Sequence, residues 1–171
     1  MQLTVYAVTL DTPCGHFSVA VNDSGAVIAT AFGNRSRLHN RLPDDCHMLH
    51  DELALTKHVE SQVNAYFAGK LRTFSIPIVA QGTFFQKKVW MALATIPFGE
   101  TRSYGHLATV IGKPRASRAI GRANATNPVC LLVPCHRVIG ADGSLTGFAF
   151  GEAIKRKLLQ HEGALPPILD R

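Results

Sequence analysis

The chain has 171 residues, 46% of them hydrophobic, and can therefore bury the core of one large domain or two small ones. No apolar run approaches the roughly 20 residues that cross a bilayer, and the N-terminus lacks the basic start of a signal peptide, so we expect no membrane segment and a cytoplasmic protein. The net charge of +6 comes from the second half: residues 1–81 hold six Lys or Arg and seven Asp or Glu, whereas residues 82–171 hold twelve and five. This asymmetry is typical of a protein that binds a polyanion such as nucleic acid, although a solvated basic surface has the same composition.

The four cysteines show no disulfide framework and no zinc-ligand spacing. They are Cys14, Cys46, Cys130 and Cys135. We expect reduced thiols and no bound metal.

The first half predicts a small α/β domain. Segments rich in Val, Ile, Phe and Thr, separated by turn residues, predict an antiparallel sheet with strands at Thr4 to Leu10, Phe17 to Val21 and Val27 to Phe32. Residues 34–48 are polar and predict a loop or a short helix. From Leu49 to Gly69, apolar residues recur at near-helical spacing and predict a helix. The extended segment 76–82 then predicts a domain boundary, with domains at 1–81 and 82–171.

The second half predicts a helix-turn-helix. A first helix is expected from Phe85 to Ile96 and ends at Pro97. Ser103 can cap the next helix, whose buried face would carry Leu107, Val110 and Ile111, and the chain turns at Gly112-Lys113-Pro114.

A second short helix is expected from about Arg115 to Ala125. On a helical wheel Arg115, Arg118 and Arg122 share one face, and Ala116, Ile120 and Ala123 share the other. We interpret this segment as a DNA-recognition helix, because small residues allow close approach to a groove and the charge asymmetry supports a polyanionic partner.

The tetrapeptide Pro134-Cys135-His136-Arg137 follows an apolar stretch and predicts a reactive thiol. Cationic and hydrogen-bonding neighbours lower the pKa of a cysteine and favour the nucleophilic thiolate. A structural cysteine is the alternative, since buried cysteines usually act as inert small hydrophobes. A helix-turn-helix that leads into such a thiol indicates chemistry on DNA.

Six segments of the second half, in order, resemble the O6-alkylguanine-DNA alkyltransferases of the bacterial type. They are Phe85-Gln86-Lys87-Lys88-Val89-Trp90, Ser103-Tyr104-Gly105-His106-Leu107-Ala108, Arg118-Ala119-Ile120-Gly121, Asn127-Pro128, Pro134-Cys135-His136-Arg137-Val138-Ile139-Gly140 and Leu158-Leu159-Gln160-His161-Glu162-Gly163. In the first half, Thr12-Pro13-Cys14-Gly15 and Tyr66-Phe67-Ala68-Gly69 resemble the N-terminal domain of that family.

The resemblance implies a ribonuclease-H-like α/β domain followed by a mostly α winged helix-turn-helix domain. It implies direct, irreversible transfer of an alkyl group from O6 of guanine, and less efficiently from O4 of thymine, to Cys135, once per molecule and without a cofactor. The expected partner is double-stranded DNA that contains O6-alkylguanine. A monomer would bind its minor groove and flip the damaged nucleotide out of the stack.

The resemblance also implies roles for individual residues. Glu162, His136 and a bridging water would deprotonate Cys135, Tyr104 would rotate the nucleotide and donate a proton to the leaving guanine, and Asn127 would hold the segment that joins the recognition helix to the active site. Arg118 would fill the vacated stack. Further DNA contacts are expected from Arg115, Arg122, Ala119, Ser103 and Arg137, and a lesion pocket from Val133, Pro134, Phe148, Ala149 and Phe150.

The sequence departs from the family pattern in the lesion-pocket loop. Phe148-Ala149-Phe150-Gly151 stands where the family resembles Tyr-Ser-Gly-Gly or Tyr-Ala-Gly-Gly, so Phe150 replaces a glycine. We expect poor reaction with bulky adducts such as O6-benzylguanine.

Three other functions remain open at this point. One is a non-catalytic protein that binds alkylated DNA, although such proteins lack the acceptor cysteine. Another is a helix-turn-helix regulator with a reactive sensor cysteine, and the third is a cysteine hydrolase, which would leave the DNA-binding half without a use.

Overall fold

The computed structural model describes residues 2–165, which divide into two compact units. The first unit holds the residues up to Gln81 together with Pro128–Leu132, and the second holds Gly82–Asn127 and the residues from Val133 onward. No helix among the described residues is long and apolar enough to cross a membrane.

A four-stranded mixed sheet forms the framework of the first unit. Its strands are β1 (Thr4–Thr12), β2 (Gly15–Val21), β3 (Val27–Phe32) and β4 (His47–His50), in the order β3-β2-β1-β4. The first three are antiparallel, which confirms the three predicted strands, and β4 adds to β1 in parallel. Buried side chains of the sheet meet those of the helices α1 (Arg35–His39) and α2 (Lys57–Phe67) in one apolar core.

The helix predicted from Leu49 to Gly69 was wrong in its first third. Residues 47–50 form β4, and α2 begins only at Lys57. Asp51 explains the late start, because its carboxylate accepts hydrogen bonds from the backbone N–H groups of Leu55 and Thr56 and so caps a turn before the helix. The predicted stop is confirmed: Gly69 has a φ of 76°, a left-handed conformation that favours glycine at a helix end.

Pro128–Leu132 differs from the predicted division, which placed it with the second half. Thr30 of β3 explains the difference: its backbone N–H donates to the Pro128 carbonyl (2.8 Å) and its hydroxyl to the Cys130 carbonyl (2.8 Å). Leu131 is buried with a φ of 72°. That conformation costs a non-glycine residue about 1–2 kcal/mol, so the surrounding contacts must hold it.

The second unit is mostly helical. In chain order it contains α3 (Phe84–Leu93), β5 (Arg102–Ser103), α4 (Tyr104–Val110), α5 (Ser117–Ala125), a 3₁₀ turn (Cys135–Arg137), β6 (Val138–Ile139) and α6 (Glu152–His161). Its core includes Val89, Leu93, Leu107, Ile120 and Leu158, which confirms the apolar faces predicted for α3 and α5. On α4 the prediction holds for Leu107 and Ile111 and is wrong for Val110, which is 58% exposed. The predicted fold class, an α/β unit followed by a mostly helical unit, is confirmed.

Candidate active site

Cys135 begins a single 3₁₀ turn in the second unit. The turn follows Pro134, and the N–H of Arg137 donates to the Pro134 carbonyl at 3.0 Å. The thiol residue is only 3% exposed. An extended strand would point Cys135 and His136 to opposite faces, whereas the turn removes that constraint.

Glu162 pairs with His136 next to this turn. The Nε2 atom of His136 lies 2.8 Å from Oε1 of Glu162, and both side chains are fully buried. Glu162 lies just past the C-terminal end of α6, so the turn and the helix end bring together two residues that are 26 positions apart.

Arg137 completes this cluster, and its predicted contact with DNA was wrong. Its Nε donates to Oε2 of Glu162 and its Nη2 to Oε1, both at 2.9 Å, while Nη1 donates to the Ile96 carbonyl at 2.7 Å. The residue is 7% exposed, so its guanidinium is unavailable to a phosphate. Arg137 instead neutralises and orients Glu162.

Glu162 is a carboxylate in this cluster. Burial by itself would raise the pKa of Glu162, but hydrogen bonds from His136 and Arg137 and the charge of Arg137 outweigh it and lower the pKa to about 2. Burial lowers the pKa of His136, against the opposing effect of Glu162. We therefore assign a neutral imidazole beside an ionised carboxylate.

These charges fix the tautomer of His136. A carboxylate only accepts hydrogen bonds, so Nε2 of the neutral ring carries the proton and Nδ1 carries a lone pair. Nδ1 is buried and has no hydrogen-bond partner within residues 2–165. The arrangement is that of a base whose second nitrogen is held by an acid, as in catalytic triads.

Lys155 lies in the same buried region and was missed by the sequence analysis. Its side chain is fully buried on α6, and Nζ donates to the Val138 carbonyl, in the strand that follows the 3₁₀ turn. Burial lowers the pKa of Lys155 to about 8, and the Cys135 thiolate opposes that effect. Helical spacing could have identified Lys155, because it lies on the same face of the helix as Leu158, Leu159 and Glu162.

Two buried amides, one in the last turn of α5 and one just after it, bind the segment that leads to and includes Cys135. Nδ2 of Asn127, just past the end of α5, donates to the Val133 carbonyl at 3.0 Å, two residues before Cys135. Nδ2 of Asn124, which was not singled out from the sequence, donates to the carbonyl of Cys135 at 3.2 Å.

The predicted DNA-binding residues other than Arg137 lie outside the core. Ser103 caps α4, as predicted, by accepting from the His106 N–H at 3.0 Å, and Ala119 is half-buried on α5. Arg118 and Arg122 are exposed on α5, but Arg115 precedes the helix, which begins at Ser117 rather than at Arg115. The start moves because a separate turn, closed by a hydrogen bond from the Ala116 N–H to the Lys113 carbonyl (2.9 Å), occupies the stretch that the sequence placed in the helix.

A cavity of about 440 Å³ lies beside α5. Its lining includes Tyr104, Arg118, Arg122, Thr146 and Gly147. Tyr104 donates a long hydrogen bond (3.3 Å) to the Thr146 carbonyl. Gly147 has a φ of 86°, and a Cβ there would lie 3.0 Å from the Tyr104 hydroxyl oxygen, so a side chain at this position would crowd that hydroxyl.

Of the residues predicted to form the lesion pocket, Phe148 and Phe150 contact each other. Phe148 is buried and its ring centroid lies 5.7 Å from that of Phe150, in an edge-to-face contact. Val133 and Pro134 are buried ahead of Cys135, whereas Ala149 is exposed.

The models of two protein domains match the two halves of the chain. Residues 5–80 match the ribonuclease-like domain of 6-O-methylguanine DNA methyltransferase, and residues 84–164 match the DNA-binding domain of the same family. The chain belongs to this family. That assignment confirms the resemblance found in the sequence and the ribonuclease-like character expected of the first domain.

Relatives and solved structures agree with the family assignment. Methylated-DNA–protein-cysteine methyltransferases are 42% identical in Methanosarcina acetivorans (94% of this chain, 99% of the relative) and 45% identical in Mycobacterium tuberculosis (93% of each). The crystal structure of O6-methylguanine methyltransferase from M. tuberculosis has a TM-score of 0.80 at 41% identity and covers 95% of both chains. The structure of that organism's OGT in complex with DNA has a TM-score of 0.81 at 39% identity and covers 94% of both.

Proposed function

We propose that this protein repairs DNA by transferring an alkyl group from O6 of guanine, and less efficiently from O4 of thymine, to Cys135. The observation that carries the proposal is the buried His136–Glu162 pair, because it places a base, His136, held by the Glu162 carboxylate, in the same turn as Cys135. The turn lies in the segment that matches the DNA-binding domain of the family. The chemistry needs no cofactor and leaves the thiol consumed after one turnover.

Deprotonation of Cys135 is the first step. The lone pair on Nδ1 of His136 accepts the thiol proton through a bridging water, and Glu162 stabilises the imidazolium that forms. The buried Lys155 cation favours the thiolate, because opposite charges attract strongly where water is excluded.

Alkyl transfer then makes one bond and breaks one. The thiolate Sγ attacks the alkyl carbon, a C–S bond forms, and the electron pair of the C–O6 bond passes to the guanine. Tyr104 donates the proton that guanine needs as it leaves, since an anionic base is a poor leaving group. The Tyr104 tyrosinate then regains a proton from the His136 imidazolium, so the products are S-alkylcysteine and unmodified guanine.

Flipping of the damaged nucleotide follows from the burial of the acceptor. Cys135 is 3% exposed and cannot reach a carbon inside a stacked duplex, so the base must leave the stack and enter the site. We assign Arg118 to the vacated space in the minor groove, with Arg122, Arg115, Ser103 and Ala119 along the DNA backbone. A monomer suffices, because the assigned residues all come from one chain.

Intact-protein mass spectrometry tests the proposal. The protein and its Cys135→Ser variant are mixed with excess duplex that carries one O6-methylguanine. We expect the wild type to gain one CH₂ group, mapped to Cys135, and the variant to gain none while it still binds the lesion.

The same measurement separates the other functions considered above. Tight binding without a mass gain indicates a non-catalytic lesion binder, and uptake from small alkylating agents alone indicates a sensor cysteine. A mass gain on another cysteine refutes the assignment of Cys135.

A further inference from the structure

The cavity beside α5 carries two arginines without an acidic partner. Arg118 and Arg122 line it from one exposed face of the helix, four residues apart. Neither side chain forms an ion pair within residues 2–165. Like charges at this spacing repel each other and oppose the helix. An anion bound between the two guanidinium groups would remove that repulsion.

Small residues keep the space next to these arginines open. Gly121, Ala125 and Gly147 belong to the lining, and the volume of about 440 Å³ falls within the range of sites that enclose a ligand. Tyr104 adds a hydroxyl group to the lining, and its hydrogen bond to the Thr146 carbonyl is long (3.3 Å). Two guanidinium groups and a hydroxyl around an open space suit a phosphate group.

The roles proposed for the lining residues identify that phosphate. Arg118 is assigned to the space that the flipped nucleotide vacates and Tyr104 to the leaving guanine, and both line the same cavity. A flipped nucleotide rotates about its own backbone, so its sugar and its phosphodiester groups lie between the emptied stack and the extruded base. A phosphodiester group next to the lesion is therefore the anion that meets the cavity.

We infer that this cavity binds a phosphodiester group of the flipped nucleotide and that Arg122 holds it there. The inference rests on the proposed function and deepens it, because Arg122 then stabilises the flipped state rather than the complex with any duplex. Arginine binds phosphate through two parallel hydrogen bonds, and the walls of a cavity strengthen such a contact by reducing the access of water. Arg118 is committed to the vacated stack, which leaves Arg122 for the phosphate.

DNA with single uncharged phosphates tests the inference. Affinity for a duplex with one O6-methylguanine is measured in the Cys135→Ser background, where no methyl group is transferred, with and without Arg122→Ala. A methylphosphonate removes the charge of the phosphate on the 5′ or on the 3′ side of the lesion. We expect Arg122→Ala to weaken binding about tenfold, and a methylphosphonate at one of the two positions to do the same. Once either change is present, the other should add less than about threefold.

Undamaged DNA and a second arginine are the controls. An undamaged duplex presents no flipped nucleotide, so Arg122→Ala should weaken its binding less than about threefold. Arg115 is exposed and is not one of the residues that line the cavity. The factors for Arg115→Ala and for the methylphosphonate should therefore multiply.

An equal loss on damaged and undamaged DNA overturns the inference, and so do factors for Arg122→Ala that multiply with the methylphosphonate at both positions. Arg122 is exposed, so we expect Arg122→Ala to melt at the wild-type temperature; if it does not, Arg122→Gln decides through the same cycle. A wild-type protein that takes up no methyl group refutes the proposed function and the inference with it. Normal transfer by the wild type, combined with either overturning result, refutes only the phosphate site.

Discussion

The two units bury polar side chains in different ways. In the first unit they are Ser18, Thr30, Asp51 and Thr56, and in the second they are Asn124, Asn127, His136, Arg137, Lys155 and Glu162. Those of the first unit mainly serve the backbone: Asp51 caps a turn, and Ser18 and Thr30 donate to carbonyl groups. Those of the second unit include four ionisable groups gathered around one thiol.

The buried polar groups of the first unit serve its structure, whereas those of the second unit serve the chemistry of Cys135. Removing a charge from water costs several kcal/mol per ion, and a buried ion pair often adds little to stability. The first unit needs only neutral bonds and one capping carboxylate, because its apolar sheet supplies the driving force. The second unit retains four ionisable groups because they determine where protons and negative charge reside beside Cys135.

The largest effect is expected from Glu162→Gln. The change leaves the buried Arg137 charge without its counter-ion, and we expect a loss of about 3–5 kcal/mol in the free energy of unfolding. Transfer should slow by on the order of 100-fold, because His136 loses the acid that stabilises its cation. Urea unfolding at pH 7 and single-turnover kinetics measure the two effects.

The pH dependence of the free energy of unfolding shows whether the ionised Glu162 carboxylate stabilises the folded protein. The pKa of Glu162 is lowered to about 2, so its contribution is complete above its unfolded pKa and is lost as the pH falls toward 2. The loss should reach about 3 kcal/mol in the wild type and be absent in Glu162→Gln. Glu100→Gln is the control, since its pair with Arg102 is half-exposed (51% for Glu100) and should contribute less than about 1 kcal/mol. Equal acid unfolding of wild type and Glu162→Gln would contradict the assigned carboxylate.

A smaller effect is expected at the apolar edge of the site. Phe150 packs against Phe148 in the loop that should receive the lesion, and its ring takes space that a glycine would leave open. We expect slow labelling by O6-benzylguanine in the wild type and a gain of about tenfold in Phe150→Gly, with methyl transfer changed much less. Phe148→Tyr, which keeps the ring, is the control. Rapid labelling of the wild type would show that Phe150 does not narrow the pocket.

The smallest effect on chemistry is expected in the first unit, at Thr30→Val. The exchange preserves the shape of the side chain and leaves the Cys130 carbonyl without its donor, so we expect a loss of about 1–2 kcal/mol in stability. Transfer by the folded protein should be unchanged, and Thr30→Ser should retain most of the hydrogen bond. A loss of transfer at unchanged stability would mean that the buried polar groups of the first unit also serve the chemistry.

Local patterns predicted several elements correctly. The three antiparallel strands, the cap at Ser103 and the end of α2 at Gly69 each follow from a few adjacent residues. The stretch before α2 was misread because Leu49 and Leu53 fit a helical period, whereas the Asp51 cap and the pairing of β4 with β1 determine the structure there. At the site, the sequence placed Arg137 on DNA although its side chain is buried against Glu162, and it did not single out Lys155 or Asn124.

The amino-acid sequence by itself determined the family motifs, the tetrapeptide that carries the acceptor Cys135 and the basic character of the second half, because these features depend only on neighbouring residues and on composition. Only the tertiary structure decided that Arg137 binds Glu162, that Lys155 lies buried near Cys135 and that Asn124 contacts the acceptor loop. Each of these facts depends on which face of an element is buried against a distant segment. Burial, in turn, determines whether a charged side chain acts as a surface contact or as part of a proton relay.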